Sequence, residues 1–230
     1  MFEAGMHLGY ARSSRHPKMA PYVYGLRNNV QIFDIEKVGP KLREAFEFIT
    51  SLGREKKTIL FVGTKAEAKN LIEETGKKLS MPYVSLRWLG GTLTNMKEIR
   101  RRVDLLEDFQ GKKTSGELLK FKKKERVRIE DTIDKMVKNL GSLSLMRTTP
   151  AAIVLIDPKH ELITVNEARV VKVPVIALLN TDCDPEKVQY PVPGNDASRA
   201  SIKLFLQGIE ESYLKGLSEA EEIASKVEAN

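Results

Sequence analysis

The fold is decided by one stretch of sequence, Thr58-Ile59-Leu60-Phe61-Val62-Gly63-Thr64-Lys65-Ala66-Glu67. Its first half is an unbroken apolar run that ends at a glycine, which is typical of a β-strand buried on both faces. Its second half predicts a capping box, in which the Thr64 oxygen and the Glu67 side chain satisfy free backbone amides where a helix begins. A buried strand followed directly by a helix indicates a βαβ unit.

The same alternation of strand and helix continues along the chain. Continuous apolar runs at Ala152–Ile156 and Val173–Leu179 predict two more buried strands. Weaker strand candidates are Val30–Phe33, Tyr83–Leu86 and Val188–Tyr190. After Pro193-Gly194, Asn195 or Asp196 is placed to cap the last long helix. We therefore predict an α/β fold, with a mainly parallel sheet and helices on both of its faces.

Residues 94–140 interrupt this alternation. Their apolar residues recur at spacings of three and four on otherwise charged segments, and a polar segment, residues 111–116, separates two such groups: Ile99, Val103 and Leu106, then Ile129, Ile133, Met136 and Leu140. Narrow apolar seams on charged helices predict an antiparallel α-helical hairpin, coiled-coil-like and protruding from the sheet domain. The alternative is one ordinary charged surface helix.

These patterns divide the chain into four parts. We predict a basic N-terminal arm (1–29), an α/β sheet domain (30–95 and 141–217), an inserted coiled-coil hairpin (96–140) and an acidic C-terminal tail (218–230). The hairpin contains 14 Lys and Arg residues against 9 Asp and Glu residues between Asn95 and Leu140. From Glu210 onward the net charge is negative, since this segment contains six glutamates and two lysines. The acidic tail is therefore not expected to contact a polyanion.

Composition restricts the class of protein. The chain has 230 residues, of which 41% are hydrophobic, so it is expected to fold around a core. The net charge of +7 favours a polyanionic partner, although charge alone does not separate RNA from DNA or an acidic membrane. One cysteine, Cys183, excludes an internal disulfide and suits a reducing compartment. No apolar run long enough to span a membrane and no signal peptide is present, so we expect a cytoplasmic protein without a membrane partner.

An enzyme is the main alternative. Gly63-Thr64-Lys65 follows a buried strand, as a phosphate-binding loop does, but the upstream glycine and the Ser or Thr after the lysine are missing. Asp157, Asp182 and Asp184 follow strands, where carboxylates bind magnesium or transfer protons. The pairs Asp157-Pro158 and Asp184-Pro185 equally indicate turns, which we favour. A flavodoxin-like nucleotide-dependent enzyme using Lys65 and these aspartates therefore stays the second hypothesis.

No metal site or cofactor is expected. The three histidines, His7, His16 and His160, match no zinc-binding spacing. A nucleophilic pair of Cys183 and His160 is supported by residue type alone, and a small buried thiol is the plainer interpretation of Cys183. We therefore expect no catalytic residues and no small-molecule substrate.

Cations next to aromatic residues and glycines suggest that the partner is RNA. Cations neutralise phosphates, and aromatic faces stack on unpaired bases. Tyr22 and Tyr24 accompany the cations of the N-terminal arm, although tyrosines packed on the sheet are the alternative. Trp88 is interpreted as a packing anchor, with a platform for base stacking as the alternative. The candidate RNA contacts are the basic residues of the arm, the Trp88 loop and the hairpin: Arg12, Arg15, His16, Lys18, Arg27, Arg87, Arg100, Arg101, Lys122, Lys123, Lys124 and Arg126.

Taken together, the chain resembles the family of the second small-subunit ribosomal protein, in its bacterial form. Five segments occur in the family's order and cover nearly the whole chain: Ala4-Gly5-Met6-His7-Leu8-Gly9, His16-Pro17-Lys18-Met19, Leu60-Phe61-Val62-Gly63-Thr64-Lys65, Arg87-Trp88-Leu89-Gly90-Gly91 and Pro193-Gly194-Asn195-Asp196. The resemblance implies a flavodoxin-like domain with a protruding coiled-coil hairpin.

The resemblance also implies a function. It implies a structural constituent of the small ribosomal subunit that catalyses no reaction and binds ribosomal RNA near the junction of head and body. By the same resemblance, the protein would support docking of the first small-subunit protein, and thereby translation. Tyr10 departs from the family, which usually has a second histidine there, and the chain starts at the motif without the short lead-in helix of relatives. If that helix serves docking, we expect docking to differ here. A basic adaptor that meets acidic proteins through the hairpin is a third hypothesis.

Overall fold

The main body of the protein is a parallel five-stranded sheet. The computed structural model describes residues 1–116, 120 and 122–228, apart from the side chains of residues 123, 224 and 226–228. The sheet has the order β5-β4-β6-β7-β8 and consists of β4 (Ile59–Val62), β5 (Tyr83–Val84), β6 (Ala152–Ile156), β7 (Val175–Leu179) and β8 (Tyr190–Pro193). Counted from β4, this order is 2-1-3-4-5, as in flavodoxin-like sheets. The predicted α/β fold with a parallel sheet is confirmed.

Helices cover both faces of this sheet. Every residue of β4, β6 and β7 is buried, which explains their continuous apolar runs. One face packs against α1 (Ile35–Arg54), α2 (Ala66–Lys78) and α6 (Arg199–Glu228). The opposite face packs against α5 (Leu162–Val171) and against the N-terminal residues Met19 and Phe33. None of the described helices combines the length and apolar character that a bilayer crossing requires.

Two further helices follow β5 in the chain. They are α3 (Met96–Thr114) and α4 (Lys123–Leu140), and they contact each other. The predicted apolar seam residues are buried at Ile99, Val103, Leu106, Ile133 and Leu140 and half-buried at Ile129 and Met136. Helix α3 continues through Gly111 to Thr114, so most of the predicted polar connection is helical. Residues 117–119 and 121 lie outside the described part of the chain.

The N-terminal residues form a sheet of their own. Strands β1 (Leu8–Ala11), β2 (Val23–Arg27) and β3 (Val30–Phe33) pair antiparallel in the order β1-β3-β2. The predicted strand at Val30–Phe33 therefore exists, but it pairs with N-terminal strands and not with the parallel sheet. Asn28 and Asn29 join β2 to β3 with positive φ angles of 50° and 65°, as a two-residue hairpin turn requires.

Two predicted helix caps are wrong. Helix α2 begins after Lys65 without a side-chain cap, because the Thr64 amide and hydroxyl both donate to the Glu161 carboxylate. A distant carboxylate acceptor has replaced the local capping box. Helix α6 is capped by Ser198, whose Oγ accepts a hydrogen bond from the Ser201 amide at 3.4 Å. Asn195 accepts a hydrogen bond from the Ala197 amide within the preceding loop, and Asp196 pairs with Lys65.

Candidate nucleic-acid interface

The N-terminal segment is held on the carboxyl end of the parallel sheet. The His16 amide donates to the Thr181 carbonyl at 2.8 Å, and the Tyr10 amide donates to Thr181 Oγ1 at 3.1 Å. Buried Gln31 donates from Nε2 to the Tyr10 carbonyl at 3.1 Å and to Thr181 Oγ1 at 3.2 Å. A Cβ atom on Gly9 would lie 2.6 Å from Thr181 Cγ2, so the close approach needs glycine. This segment therefore docks as a folded element.

Beneath it lies a set of buried and half-buried polar side chains that we call the Lys65 cluster: Tyr10, Lys65, Asp157, Asn180 and Asp196. Lys65 Nζ pairs with Asp157 Oδ2 and, at 2.8 Å, with Asp196 Oδ2. Asp196 Oδ1 accepts from Asn180 Nδ2 at 2.8 Å and from the Tyr10 hydroxyl at 3.1 Å. The cluster ties the arm, the start of α2, two strand ends and the loop before α6 to one another.

Electrostatics keep Lys65 and Asp157 charged. Burial lowers the pKa of Lys65, but its hydrogen bonds to Asp157 and Asp196 outweigh burial and hold the pKa well above its usual value. Burial raises the pKa of Asp157, but the ion pair with Lys65 outweighs it and lowers the pKa overall. Burial raises the pKa of Asp196, and nearby Asp157 adds to that effect. Burial and the Asp196 carboxylate raise the pKa of Tyr10 to about 12, so its hydroxyl stays a donor.

The groups of the enzyme hypothesis are engaged in these contacts. Lys65 is neutralised by two aspartates, and Asp157 Oδ1 also accepts from the amides of Lys159 and His160 at 3.0 and 3.1 Å. Asp182 pairs with Lys159 at 2.8 Å, and Asp184 Oδ1 accepts from the Glu186 amide at 3.1 Å. Both predicted aspartate turns are confirmed. Among the described residues, no three His, Cys, Asp or Glu side chains are arranged to hold a metal ion.

Cys183 is the small buried thiol that the sequence suggests. Its side chain is buried, and its Sγ lies 3.7 Å from Asp157 Oδ1 and 3.6 Å from Asp182 Oδ1. Burial, reinforced by these carboxylates, raises the pKa of the thiol far above its usual value. A thiol that stays protonated is a poor nucleophile, so the hypothesis of a Cys183 nucleophile loses its chemical basis.

Glu167, which sequence reasoning missed, organises the loop after β5. Its carboxylate accepts from Trp88 Nε1 at 3.0 Å and from the amides of Gly91, Leu93 and Thr94 at 2.8, 3.0 and 3.2 Å. Burial raises the pKa of Glu167, but these hydrogen bonds outweigh burial and lower the pKa overall. Trp88 is buried, as a packing anchor should be. A glutamate on an amphipathic helix carries no sequence signal of this role, and the same holds for Glu161.

The candidate RNA contacts of the N-terminal arm differ in their surroundings. Arg12 and Arg27 are exposed, and Arg15 and His16 are half-buried. Lys18 is exposed but forms salt bridges with Asp184 at 3.5 Å and with Glu186. Of the arm's candidates, only Lys18 has a salt bridge to a described carboxylate. The three arginines, Arg12, Arg15 and Arg27, keep their positive charge available for an outside partner.

The candidates outside the arm divide in the same way. Arg100 pairs with Asp104 at 2.8 Å, and Arg101 lies 3.7 Å from Glu98. Arg126 lies 3.9 Å from Glu130, both on α4. Three exposed candidates form no salt bridge with a described carboxylate: Arg87, Lys122 and Lys124. Lys123 is the first residue of α4, and its side chain lies outside the described atoms.

Comparison with known proteins agrees with the resemblance in the sequence. The family model described as Ribosomal protein S2 matches residues 1–216. The chain is 40% identical over 216 residues to the small ribosomal subunit protein uS2 of Dictyoglomus thermophilum, covering 94% of this chain and 88% of that protein. It is 43% identical over 206 residues to the protein of the same name from Thermus thermophilus, covering 90% of this chain and 80% of that protein.

Proposed function

The chain belongs to the ribosomal protein S2 family, and from that premise we propose that it binds small-subunit ribosomal RNA near the junction of head and body. The family is a structural component of the small ribosomal subunit and not an enzyme, so the chain serves translation without catalysing a reaction. We place it in the cytoplasmic ribosome, among ribosomal RNA and neighbouring small-subunit proteins. The nucleotide-dependent enzyme is not favoured.

One observation carries the RNA proposal: the arm presents Arg12 and Arg27, which form no salt bridge with a described carboxylate, on a docked backbone. Arg12 directly follows β1, and Arg27 ends β2 at the Asn28-Asn29 turn. The bonds of Tyr10 to Thr181 and Asp196 hold β1 against the parallel sheet, and β2 is joined to β1 through β3. Cations held in place bind phosphates without losing the conformational entropy that a disordered arm would lose. Phosphate contacts then set the orientation of the protein on the RNA.

For residues 96–140 we propose an antiparallel coiled-coil hairpin that protrudes from the sheet domain. Its support is the narrow buried seam, where Ile99, Val103 and Leu106 of α3 belong to the same apolar cluster as Ile133 of α4. Leu105 and Val127, which lie off the seam, are 46% and 47% exposed. In such a hairpin, Lys122 and Lys124 lie near the tip, far from the sheet, and add a second set of cations.

The division into four parts stands as a proposal. The arm (1–29), the sheet domain (30–95 and 141–217), the hairpin (96–140) and the tail (218–230) would each have a separate role. Two facts bear on the boundaries. Strand β3 pairs with the strands of the arm, and α6 continues without interruption from Arg199 to Glu228, through most of the acidic tail.

Docking of a neighbouring protein, the first small-subunit protein, is supported by an apolar surface on α5. Ile163 and Val170 are 62% and 72% exposed and lie seven residues apart, so they share one face of the helix. Leu162 beside them is 41% exposed. RNA phosphates gain nothing from such a surface, whereas a protein partner gains free energy by burying it.

Sedimentation of a native lysate through a sucrose gradient tests the proposed function. We expect the chain to migrate with small subunits and to stay with them through a moderate salt wash. Migration as a free protein at both high and low salt would refute the proposal. The variant Asp131→Ala removes one negative charge at an exposed position on α4 and serves as a control for nonspecific binding, because it should not alter the fraction bound.

A further inference from the structure

A groove runs beside the edge strand β5, between α2 and the C-terminal end of α4. Its volume is about 610 Å³. Helix α2 lines it with Lys69, Glu73 and Lys77, the segment after β5 contributes Arg87, and α4 contributes Lys138. We call this the α2–β5–α4 groove. Of its lining residues, only Arg87 belongs to the basic residues that the sequence indicates as RNA contacts.

The charge of the groove is not balanced internally. Glu73 is the one acidic residue that lines it, and Glu73 pairs with Lys77 at 2.6 Å. On a helix, a glutamate pairs better with a lysine four residues after it than with one four residues before it, so Lys77 is preferred to Lys69. Within the described part of the chain, Lys69, Arg87 and Lys138 have no salt bridge. Three elements thus each supply one unneutralised cation.

The walls of the groove are rigidly connected. The Ser142 hydroxyl donates to the Tyr83 carbonyl, which ties the segment after α4 to strand β5. The Tyr83 ring packs on Gly76 of α2, where a Cβ atom would lie 2.6 Å from Tyr83 Cδ1. Helices α2 and α4 are therefore both held against β5. The backbone positions that carry the three cations are thus held without a ligand, so binding costs little backbone ordering entropy.

We propose that Lys69, Arg87 and Lys138 bind the phosphate backbone of an RNA strand that lies in the α2–β5–α4 groove. This inference rests on the proposed RNA-binding function and adds a second phosphate-binding surface to the N-terminal arm. Because phosphates repeat along an RNA strand, one strand can contact all three cations, which come from three different elements. A peptide would need apolar anchor pockets, but the exposed apolar side chains of the groove are only Leu86 and Val137, 38% and 40% exposed.

Salt dependence of RNA binding tests the proposal. The groove variant is the full chain with Lys69→Ala, Arg87→Ala and Lys138→Ala. The control variant, Arg169→Ala, Lys187→Ala and Lys203→Ala, loses the same charge at exposed positions outside the groove. Binding to purified small-subunit RNA is measured by filter retention across a range of KCl concentrations. Each lost phosphate contact lowers the slope of log K against log salt by about 0.7 to 0.9, so the groove variant should lose about two units.

The possible outcomes distinguish a failure of the groove proposal from a failure of the proposed RNA-binding function. A control variant with the wild-type slope, and a charge-retaining variant (Lys69→Arg, Arg87→Lys, Lys138→Arg) that recovers most of the lost slope, would support the proposal. Equal slopes for the groove and control variants would overturn it. A groove variant that keeps its RNA slope but no longer sediments with small subunits would also overturn it, in favour of an acidic protein partner. If the wild-type chain shows no salt-dependent RNA binding, the proposed function itself fails. Circular dichroism confirms that each variant is folded.

Discussion

Lys65 Nζ lies 2.8 Å from Asp196 Oδ2, although 131 residues separate the two in the chain. The contact joins the start of α2 to the loop before α6 at the carboxyl end of the parallel sheet. Open α/β sheets usually bind their ligands at this end. Here the charged side chains at this position pair with one another in the Lys65 cluster, and Tyr10 of the N-terminal arm packs against them. In a fold often used for catalysis, these groups are in this way engaged in structural contacts.

Removal of Lys65 should destabilise the protein. Lys65→Ala leaves Asp196, whose side chain is fully buried, without its cation, and such a loss costs about 3 kcal/mol. Urea unfolding at pH 7 measures the change, and Lys203→Ala, an exposed lysine on α6, is the matched control. Adding Asp196→Asn to Lys65→Ala should recover part of the stability. A loss below about 1 kcal/mol for Lys65→Ala would show that the cluster contributes little.

Glu167 should make the free energy of unfolding depend on pH in the acid range. Its folded pKa lies below the unfolded value of about 4.3, so its contribution is complete above that pH and is lost as the pH falls through the folded pKa. Glu167→Gln removes the charge and places amide hydrogens against backbone donors, at a cost of about 2 kcal/mol at pH 7. Urea unfolding at pH 7, 5, 4 and 3 should show this difference shrink only below about pH 4.3. A stability difference between the wild type and Glu167→Gln that stays constant down to pH 3 would contradict the prediction that the Glu167 carboxylate acts in its ionised form.

The cations of the arm should contribute unequally to RNA binding. Arg12→Ala should lower the salt slope by about 0.7 to 0.9, because the exposed Arg12 has no salt bridge to a described residue. Lys18→Ala should lower it less, because Asp184 and Glu186 already neutralise Lys18. Filter binding of purified small-subunit RNA at several KCl concentrations measures both slopes. Equal effects of the two substitutions would indicate that RNA displaces the Lys18 salt bridges.

The seam between α3 and α4 should not tolerate a charge. Ile133 is 2% exposed, so Ile133→Asp places a carboxylate among apolar side chains at a cost of several kcal/mol, roughly 3. Val137→Asp, one turn further along α4 and 40% exposed, is the control and should change the melting temperature little. Circular dichroism with thermal melting compares the two variants. If both melt like the wild type, the packed seam is wrong.

The apolar face of α5 should matter for a protein neighbour and not for RNA. The double variant Ile163→Asp and Val170→Asp makes this face polar and changes no buried residue, so the fold should be unchanged. We expect it to bind purified small-subunit RNA like the double variant Asn70→Asp and Asn166→Asp, which adds the same two negative charges at exposed positions. Small subunits that carry it should retain less of the first small-subunit protein after a salt wash. Full retention would remove α5 from the docking surface.

Local patterns in the sequence were sufficient for the main architecture. Strands β4, β6 and β7 are buried on both faces, and that burial is the reason their residues are continuously apolar. The seam of α3 and α4 was visible for the same reason, because the residues that must avoid water recur with the period of a helix. The interpretation of Trp88 as a packing anchor is confirmed by its burial.

Only the tertiary structure decided which polar groups meet. Thr64 has a good local partner in Glu67 but donates to Glu161, 97 residues away, and Lys65 finds two aspartates from distant loops. The neutralisation of Lys18 likewise depends on Asp184 and Glu186 across the fold. Apolar burial leaves a trace in the sequence because the residues on the buried face of an element recur with the period of that element. An ion pair leaves none, since it depends on two side chains that only the folded chain brings together.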